Sequence, residues 1–135
     1  MSFTVTASFD IQPRRVQDLI VCAFEGGSNY WLGRGRVELE SPPYESLAEE
    51  GVVWYGRDDN VFARTDFKIS INHDDLNNED VKKNYYLDFA SAQKGLELMA
   101  EKYPRHFNDL LQENEDAETG DVFLQLCLFQ EVVYG

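Results

Sequence analysis

The stretch Phe67-Lys68-Ile69-Ser70-Ile71-Asn72 decides the fold class, because its apolar and polar side chains alternate without interruption. Successive side chains of a β-strand point to opposite faces of the sheet, so Phe67, Ile69 and Ile71 would share one face. This is the clearest strand pattern in the chain. We therefore predict a sheet with one buried face, against which helices must pack.

Two elements are predicted on the N-terminal side of this strand. Residues 3–9 alternate Phe, Val, Ala and Phe with Thr and Ser, which predicts an amphipathic strand. Pro13 suits the first turn of a helix, and apolar residues then recur at three- and four-residue spacing. Gly26 and Gly27 are expected to end this helix, with one of them in the left-handed conformation.

The middle of the chain is rich in turn-forming residues. We expect one short strand at residues 36–40 and one acidic helical turn at residues 44–50. Apolar residues at 52–55 and 61–63 flank the sequence Gly-Arg-Asp-Asp-Asn, which predicts a β-hairpin.

The C-terminal half is predicted to be mainly helical. Residues 73–80 are polar and acidic, so they indicate a loop or a helical turn, and residues 85–87 return as a strand. Asp88 is a good N-cap for the helix that follows, and Pro104 begins another. Residues 121–133 are apolar on most sides, which favours a buried helix, with a central strand as the alternative.

Together these elements predict a single α+β domain over residues 1–135, with an antiparallel sheet packed against an N-terminal helix and C-terminal helices. A hydrophobic fraction of 43% is typical of a folded chain. Cys22 and Cys127 each lie in an apolar run and are expected to be buried free thiols. The chain shows neither a secretory signal nor an apolar run of about 20 residues. We therefore expect a cytoplasmic protein.

The negative charge of the chain is unevenly distributed. The formal net charge is -13, and two segments account for the excess. Residues 38–82 hold twelve acidic and four basic side chains, and residues 97–121 hold eight and two. Such a field repels nucleic acid and membrane surfaces and attracts basic partners. Direct nucleic-acid or membrane binding is therefore not expected.

The sequence contains no recognisable catalytic or cofactor motif. His73 precedes two aspartates, but a catalytic metal centre needs several ligands and the only other histidine is His106. Ser28 follows two glycines without the spacing of a nucleophile elbow, and no phosphate-binding glycine loop occurs. We therefore expect no catalytic residues, no metal and no cofactor, and a protein that is not an enzyme.

One loop combines aromatic residues, arginines and glycines. Aromatic and guanidinium groups together can stack on a nucleobase and pair with its phosphate. Alternatively, the aromatic residues of this loop cap the first helix and its arginines are solvated. The candidate ligand-binding residues are Asn29, Tyr30, Trp31, Arg34 and Arg36.

The acidic segments are the second candidate site. Carboxylates on a rigid domain can imitate the phosphates of duplex DNA, which follow one another at about 1.7 Å along the helix axis. Alternatively, the same charges serve only to keep the protein in solution. The candidate partner-binding residues are Glu49, Glu50, Asp58, Asp59, Asp74, Asp75, Glu79, Asp80, Glu115, Asp116 and Glu118.

Two segments carry a resemblance. Ala-Phe-Glu-Gly-Gly-Ser-Asn-Tyr-Trp at 23–31 and Asp-Ala-Glu-Thr-Gly-Asp-Val-Phe-Leu-Gln-Leu at 116–126 resemble segments of small proteins encoded by bacteriophages and prophages. The resemblance implies an accessory protein that acts inside an infected bacterium. By charge and class, acidic anti-CRISPR and anti-restriction proteins are the relevant comparison, and this step is an analogy.

Two functional hypotheses follow. The first is a non-enzymatic, phage-encoded inhibitor that binds a basic, nucleic-acid-handling defence protein, such as a CRISPR effector, through its acidic segments, with DNA mimicry as one mode. The alternative is a protein that sequesters a small nucleotide signal in a pocket near the Tyr30–Arg36 loop.

Overall fold

The computed structural model describes residues 1–33, 36–48 and 51–135. The β-strands within these residues are β1 (Val37–Ser41), β2 (Lys68–Asp75) and β3 (Asn78–Asp88). The α-helices of the same described ranges are α1 (Pro13–Cys22), α2 (Tyr44–Leu47), α3 (Phe89–Lys102), α4 (Pro104–Leu111) and α5 (Ala117–Phe129). A π-helical turn at Ala23–Gly27 extends α1, and 3₁₀ turns lie at Trp54–Gly56 and Val61–Ala63.

The strands form an antiparallel sheet in the order β1-β2-β3. Ile69 pairs with Leu87 and Ile71 with Tyr85, and all four side chains are buried. This face packs toward the helices, while β1 contributes the buried Leu39. The predicted α+β class, with an antiparallel sheet against an N-terminal helix and C-terminal helices, is confirmed.

Helix α5 is the centre of the core. Every residue from Thr119 to Phe129 is buried, and the helix contacts α1, α3, α4 and β3. Because neighbours surround it on all sides, no face of this part of the helix is exposed to solvent. The prediction of a buried helix is therefore confirmed, and the alternative of a central strand is wrong.

Close helix packing explains the glycines at the end of α1. A Cβ atom on Gly27 would overlap the carbonyl oxygen of Ala117, and one on Gly120 would lie 2.6 Å from the carbonyl oxygen of Leu19. Gly26 has an extended φ of 175° and Gly27 does not lie in the left-handed region, so the predicted left-handed helix end is wrong. Gly27 and Gly120 instead allow the backbones of α1 and α5 to approach each other.

The predicted strand at residues 3–9 does not form. Residues 1–12 have no regular secondary structure, and the side chains of Phe3 and Val5 are 91% and 87% exposed. A strand needs a neighbour to bind its backbone groups, and an alternating pattern alone does not provide one. Phe9 contacts Phe107 edge-on at 5.6 Å between ring centroids.

The predicted hairpin over 52–63 is also wrong. Local hydrogen bonds close two 3₁₀ turns, from the amide of Gly56 to the carbonyl of Val53 at 3.0 Å and from that of Ala63 to Asn60 at 3.1 Å. Val61 and Phe62 are consecutive and both buried. A strand would send their side chains to opposite faces, whereas a turn lets both enter the core.

The predicted loop at residues 73–80 is instead the end of a hairpin. β2 and β3 continue to Asp75 and Asn78, and Leu76 and Asn77 form the turn. Backbone pairing continues beyond the core, and Asp74 forms an ion pair with Lys82 on the opposite strand. Polarity indicated solvent exposure correctly here, but not the backbone conformation.

The two helix starts predicted at Asp88 and Pro104 are confirmed. Asp88 caps α3, accepting a hydrogen bond from the amide of Ser91 at 2.9 Å, and Pro104 begins α4. Both cysteines are free thiols, of which Cys127 is buried and Cys22 is partly exposed. Within the described residues, no helix has the length and apolar character needed to cross a membrane.

Gly120→Ala tests the close contact between α1 and α5. The added methyl group meets backbone atoms of Leu19 and Ala23 at 2.6 and 2.7 Å, so the helices must move apart. We expect the free energy of unfolding to fall by about 1–3 kcal/mol, measured by urea denaturation. Gly33→Ala is the control, since its Cβ would meet Arg36 at an ordinary 3.5 Å. Equal stability of the two variants would contradict the packing described.

Candidate functional site

A buried carboxylate organises the region where α1 and α5 meet. Asp121 is only 6% exposed. Its Oδ1 accepts hydrogen bonds from the Ser28 hydroxyl at 2.8 Å and the Trp31 indole at 2.7 Å, and its Oδ2 accepts from the Tyr30 hydroxyl at 2.6 Å. The side-chain amide of Gln125 donates to both oxygens at 3.1 Å. The loop after α1 is thereby attached to α5.

Gln125 extends the same network to the C-terminal segment. Its Oε1 accepts hydrogen bonds from the amides of Val133 and Tyr134 at 2.8 and 2.9 Å. Its Nε2 also donates to the carbonyl of Tyr134 at 3.1 Å. One turn of α5 therefore holds both the loop and the end of the chain.

Trp31 belongs to the core. Its ring stacks on Tyr134 with centroids 5.3 Å apart and an interplanar angle of 10°, and contacts His73 and Phe129. A ligand could stack on that face of Trp31 only by displacing Tyr134. The structure thus favours the interpretation in which Trp31 caps the first helix over the predicted role in ligand stacking.

Tyr30 points in a different direction and borders a cleft. Its side chain remains 59% exposed although its hydroxyl binds Asp121. The cleft has a volume of about 620 Å³, and we call it the tyrosine cleft. Its side-chain walls include Tyr30, Tyr103, His106, Glu118, Asp121 and Tyr134.

The electrostatic character of the tyrosine cleft is acidic. Burial, the hydrogen bond to Asp121 and the charge of Asp121 raise the pKa of Tyr30 to about 12. The Tyr30 hydroxyl therefore keeps its proton at neutral pH and remains a donor. His106 contacts the Thr119 hydroxyl through Nδ1 at 3.0 Å, and its Nε2 lies 3.8 Å from the Glu118 carboxylate.

A second concavity lies on the other side of the loop after α1. Phe24, Trp54 and Tyr55 contact one another edge-on, with ring centroids 5.1 to 6.3 Å apart. Together with Asn29 and Leu32 they border a volume of about 210 Å³, which we call the aromatic pocket.

The described candidate ligand-binding residues therefore lie in different parts of the structure and do not form one site. Asn29 lines the aromatic pocket, Tyr30 lines the tyrosine cleft and Trp31 is in the core. Arg36 donates from Nη1 to the Asn72 side chain at 3.0 Å, on the sheet. Arg34 lies outside the described residues.

Three of the candidate partner-binding acids are engaged within the protein. Asp74 is paired with Lys82. The side chain of Glu115 is 9% exposed and binds Arg15 at 2.6 Å. Asp116 caps α5, accepting from the amide of Thr119 at 2.9 Å. These three carboxylates have structural roles that the sequence pattern did not distinguish from surface charge.

The remaining candidate acids differ in their surroundings. Asp75 accepts a hydrogen bond from the amide of Asn77 at 2.8 Å, and Glu118 is 71% exposed at the tyrosine cleft. Four others are exposed and form no ion pair within the described part of the chain; we call them the outer carboxylates, Asp58, Asp59, Glu79 and Asp80. Glu49 and Glu50 lie outside the described residues.

The region around His73 has no metal-ligand geometry. His73 Nε2 is 3.0 Å from the Tyr134 hydroxyl, and burial lowers the pKa of its ring. Over residues 1–33, 36–48 and 51–135, no three His, Cys, Asp or Glu side chains are grouped so that they could hold a metal ion.

Sequence reasoning missed the centre of this region. Asp121 and Gln125 were counted within an apolar run, yet they are polar residues four positions apart on one helix face. A carboxylate and an amide at this spacing within a buried helix require hydrogen-bond partners. This spacing in the sequence therefore indicates a buried polar pair in α5. Tyr103, His106 and Tyr134 gave no such signal, because only tertiary packing brings them to the cleft.

Comparison of the chain with protein-family models, with curated proteins and with solved structures finds no match.

Asp121→Ala tests the central role of the buried carboxylate. The change removes the acceptor for Ser28, Trp31 and Tyr30, and leaves buried donors without partners. We expect the free energy of unfolding to fall by at least about 3 kcal/mol, measured by chemical denaturation. Glu113→Ala, at an exposed carboxylate, should change it by less than about 0.5 kcal/mol. A small effect of Asp121→Ala would show that the fold does not depend on this network.

Proposed function

We propose that this chain is a non-enzymatic, phage-encoded inhibitor that binds a basic, nucleic-acid-handling bacterial defence protein, with CRISPR effectors as the first candidates. The observation that carries the proposal is the exposure of the outer carboxylates without a compensating cation in the described residues. The resemblance of residues 23–31 and 116–126 to phage-encoded proteins supplies the setting, which is the cytoplasm of an infected bacterium.

Three basic residues of this region form ion pairs with other acids. Lys82 pairs with Asp74 and Arg64 with Asp66, the latter at 3.0 Å. Lys68 lies 3.5 Å from the Glu40 carboxylate and over the ring of Tyr86. Lys83 lies over the ring of Tyr85, 5.1 Å from its centroid. The outer carboxylates form no ion pair within the described residues, so their charges are left to act on a partner.

The shape of the sheet favours contact with a groove. Residues 78–84 of β3 are all exposed, so the end of the β2–β3 hairpin extends beyond the core. Glu79 and Asp80 are adjacent and exposed on this strand, between Asn78, which pairs with Asp75, and Lys82, which pairs with Asp74. An extended hairpin with exposed carboxylates near its end can enter a basic groove that normally holds nucleic acid, which is the mode of a DNA mimic.

Charge reversal of the outer carboxylates tests this proposal. Asp58, Asp59, Glu79 and Asp80 are changed to Lys, and binding to purified CRISPR effectors is followed by association kinetics at several salt concentrations. We expect association at low salt to slow by about 10-fold or more, since steering depends on the local field. The difference should diminish as salt shortens the screening length below about 8 Å.

The matched control reverses four other exposed acids and gives the same net charge. These are Glu97, Glu101, Glu113 and Glu131. If the control slows association as much as the test variant, the effect comes from the total charge of the protein and the hairpin is not the interface. If neither variant changes binding of a captured effector, or no effector is bound by the wild type, the proposal fails.

The aromatic pocket supports a second candidate function, the sequestration of a small nucleotide signal. Three aromatic rings and the amide of Asn29 border this pocket, and aromatic rings can stack on a nucleobase. Trp54, which the sequence interpretation did not select, replaces Trp31 as the candidate stacking residue, since Trp31 is enclosed by Tyr134 and Phe129.

A nucleotide panel that includes cyclic species tests the second candidate by calorimetric titration. Trp54→Ala should weaken any observed binding by about 10-fold or more, because stacking on an aromatic ring contributes about 1–3 kcal/mol per base. Tyr44→Ala, at an exposed ring outside the aromatic pocket, should leave binding unchanged. Absence of binding across the panel would eliminate this candidate.

A further inference from the structure

We propose that the tyrosine cleft binds a cation, and that its natural occupant is the guanidinium group of an arginine side chain inserted by the protein partner. The inference that the ligand is a cation depends only on the residues of the cleft. The protein source of the arginine rests on the proposed function.

The first support is the charge of Asp121. This side chain accepts hydrogen bonds from Ser28, Tyr30, Trp31 and Gln125, which is the pattern of an ionised carboxylate. All of these donors are neutral, and no cation within the described residues forms an ion pair with Asp121. These hydrogen bonds stabilise the buried carboxylate, and its charge still makes the electrostatic potential at the cleft wall negative, which favours a cation in the cleft.

The second support is the composition of the cleft walls. Tyr30, Tyr103 and Tyr134 supply aromatic surface, which attracts cations through the ring quadrupole. Glu118 adds a second carboxylate, whose side chain is largely exposed and lies 3.8 Å from His106. Aromatic residues together with carboxylates are the side chains that a guanidinium group prefers, because it stacks and donates paired hydrogen bonds in one plane.

An anion is disfavoured at the same place. The only basic side chain among the described residues lining the cleft is His106, and its ring already contacts Thr119 and Glu118. The cleft also adjoins the N-terminus of α5, whose dipole would attract an anion, but Asp116 caps this end and Glu118 lies in its first turn. A phosphate would therefore meet carboxylates rather than donors.

The test uses the purified full chain and defined probes. The probes are a short arginine-containing peptide, the same peptide with neutral citrulline in place of arginine, and acetyl-arginine methylamide. Binding is followed by NMR through the signals of Tyr30, Tyr103 and Glu118. We expect the arginine peptide to shift these signals and the citrulline peptide to leave them unchanged.

Glu118→Gln provides the matched substitution. Its side chain is exposed, so the melting temperature should stay the same while the dissociation constant of the arginine peptide rises about 10-fold. Glu131→Gln makes the same change of charge outside the cleft and should not affect binding. Equal responses to arginine and citrulline, or no shift with any probe, would overturn the cation site.

The capped arginine distinguishes the two possible sources of the cation. Weaker binding of the capped amino acid than of the peptide supports insertion by a partner chain. Equal binding would overturn that assignment and indicate a site for a free small cation. Glu118 is not among the outer carboxylates. Failure of the arginine peptide to bind would therefore reject the cation site without rejecting the proposed inhibitor function. Failure of the charge-reversal experiment would reject the proposed function without rejecting the cation site.

Discussion

The fold depends on one buried carboxylate and on the close approach of two helices that it requires. Asp121 can accept hydrogen bonds from Ser28, Tyr30 and Trp31 only because α5 lies against the end of α1. Glycines at 27 and 120 remove the side chains that would hold these helices apart. A buried carboxylate is costly unless it is hydrogen-bonded, so the network and the helix contact stabilise each other.

Residues 23–31 and residues 116–126, on which the proposed phage origin rests, meet at this contact. Residues 23–31 end the first helix and supply three of the donors to Asp121, while residues 116–126 form most of α5. Far apart in sequence, they are neighbours in the fold and both border the tyrosine cleft. The two segments therefore form one structural unit, which combines a polar network with a surface concavity.

The acidic residues divide into two groups with different physical roles. Glu115 and Asp116 hold Arg15 and the N-terminus of α5, and their removal would affect the fold. The outer carboxylates affect the fold little, because water solvates them equally well in the unfolded chain. Net charge by itself cannot separate these groups. The distinction narrows the proposed interface to the hairpin and the loop around Asp58.

The sequence by itself determined the class of the fold, the strand containing Ile69 and Ile71, the capping of α3 by Asp88 and the burial of α5. Each of these depends on local chemistry or on periodicity, which short segments contain in full. Tertiary structure decided whether residues 3–9 found a strand partner, whether Val61 and Phe62 entered the core together, and which acids remained unpaired. It also decided the composition of the tyrosine cleft, since Tyr103 and His106 at the start of α4 meet Tyr134, which follows α5. These outcomes depend on contacts between residues distant in sequence, and no local pattern encodes such contacts.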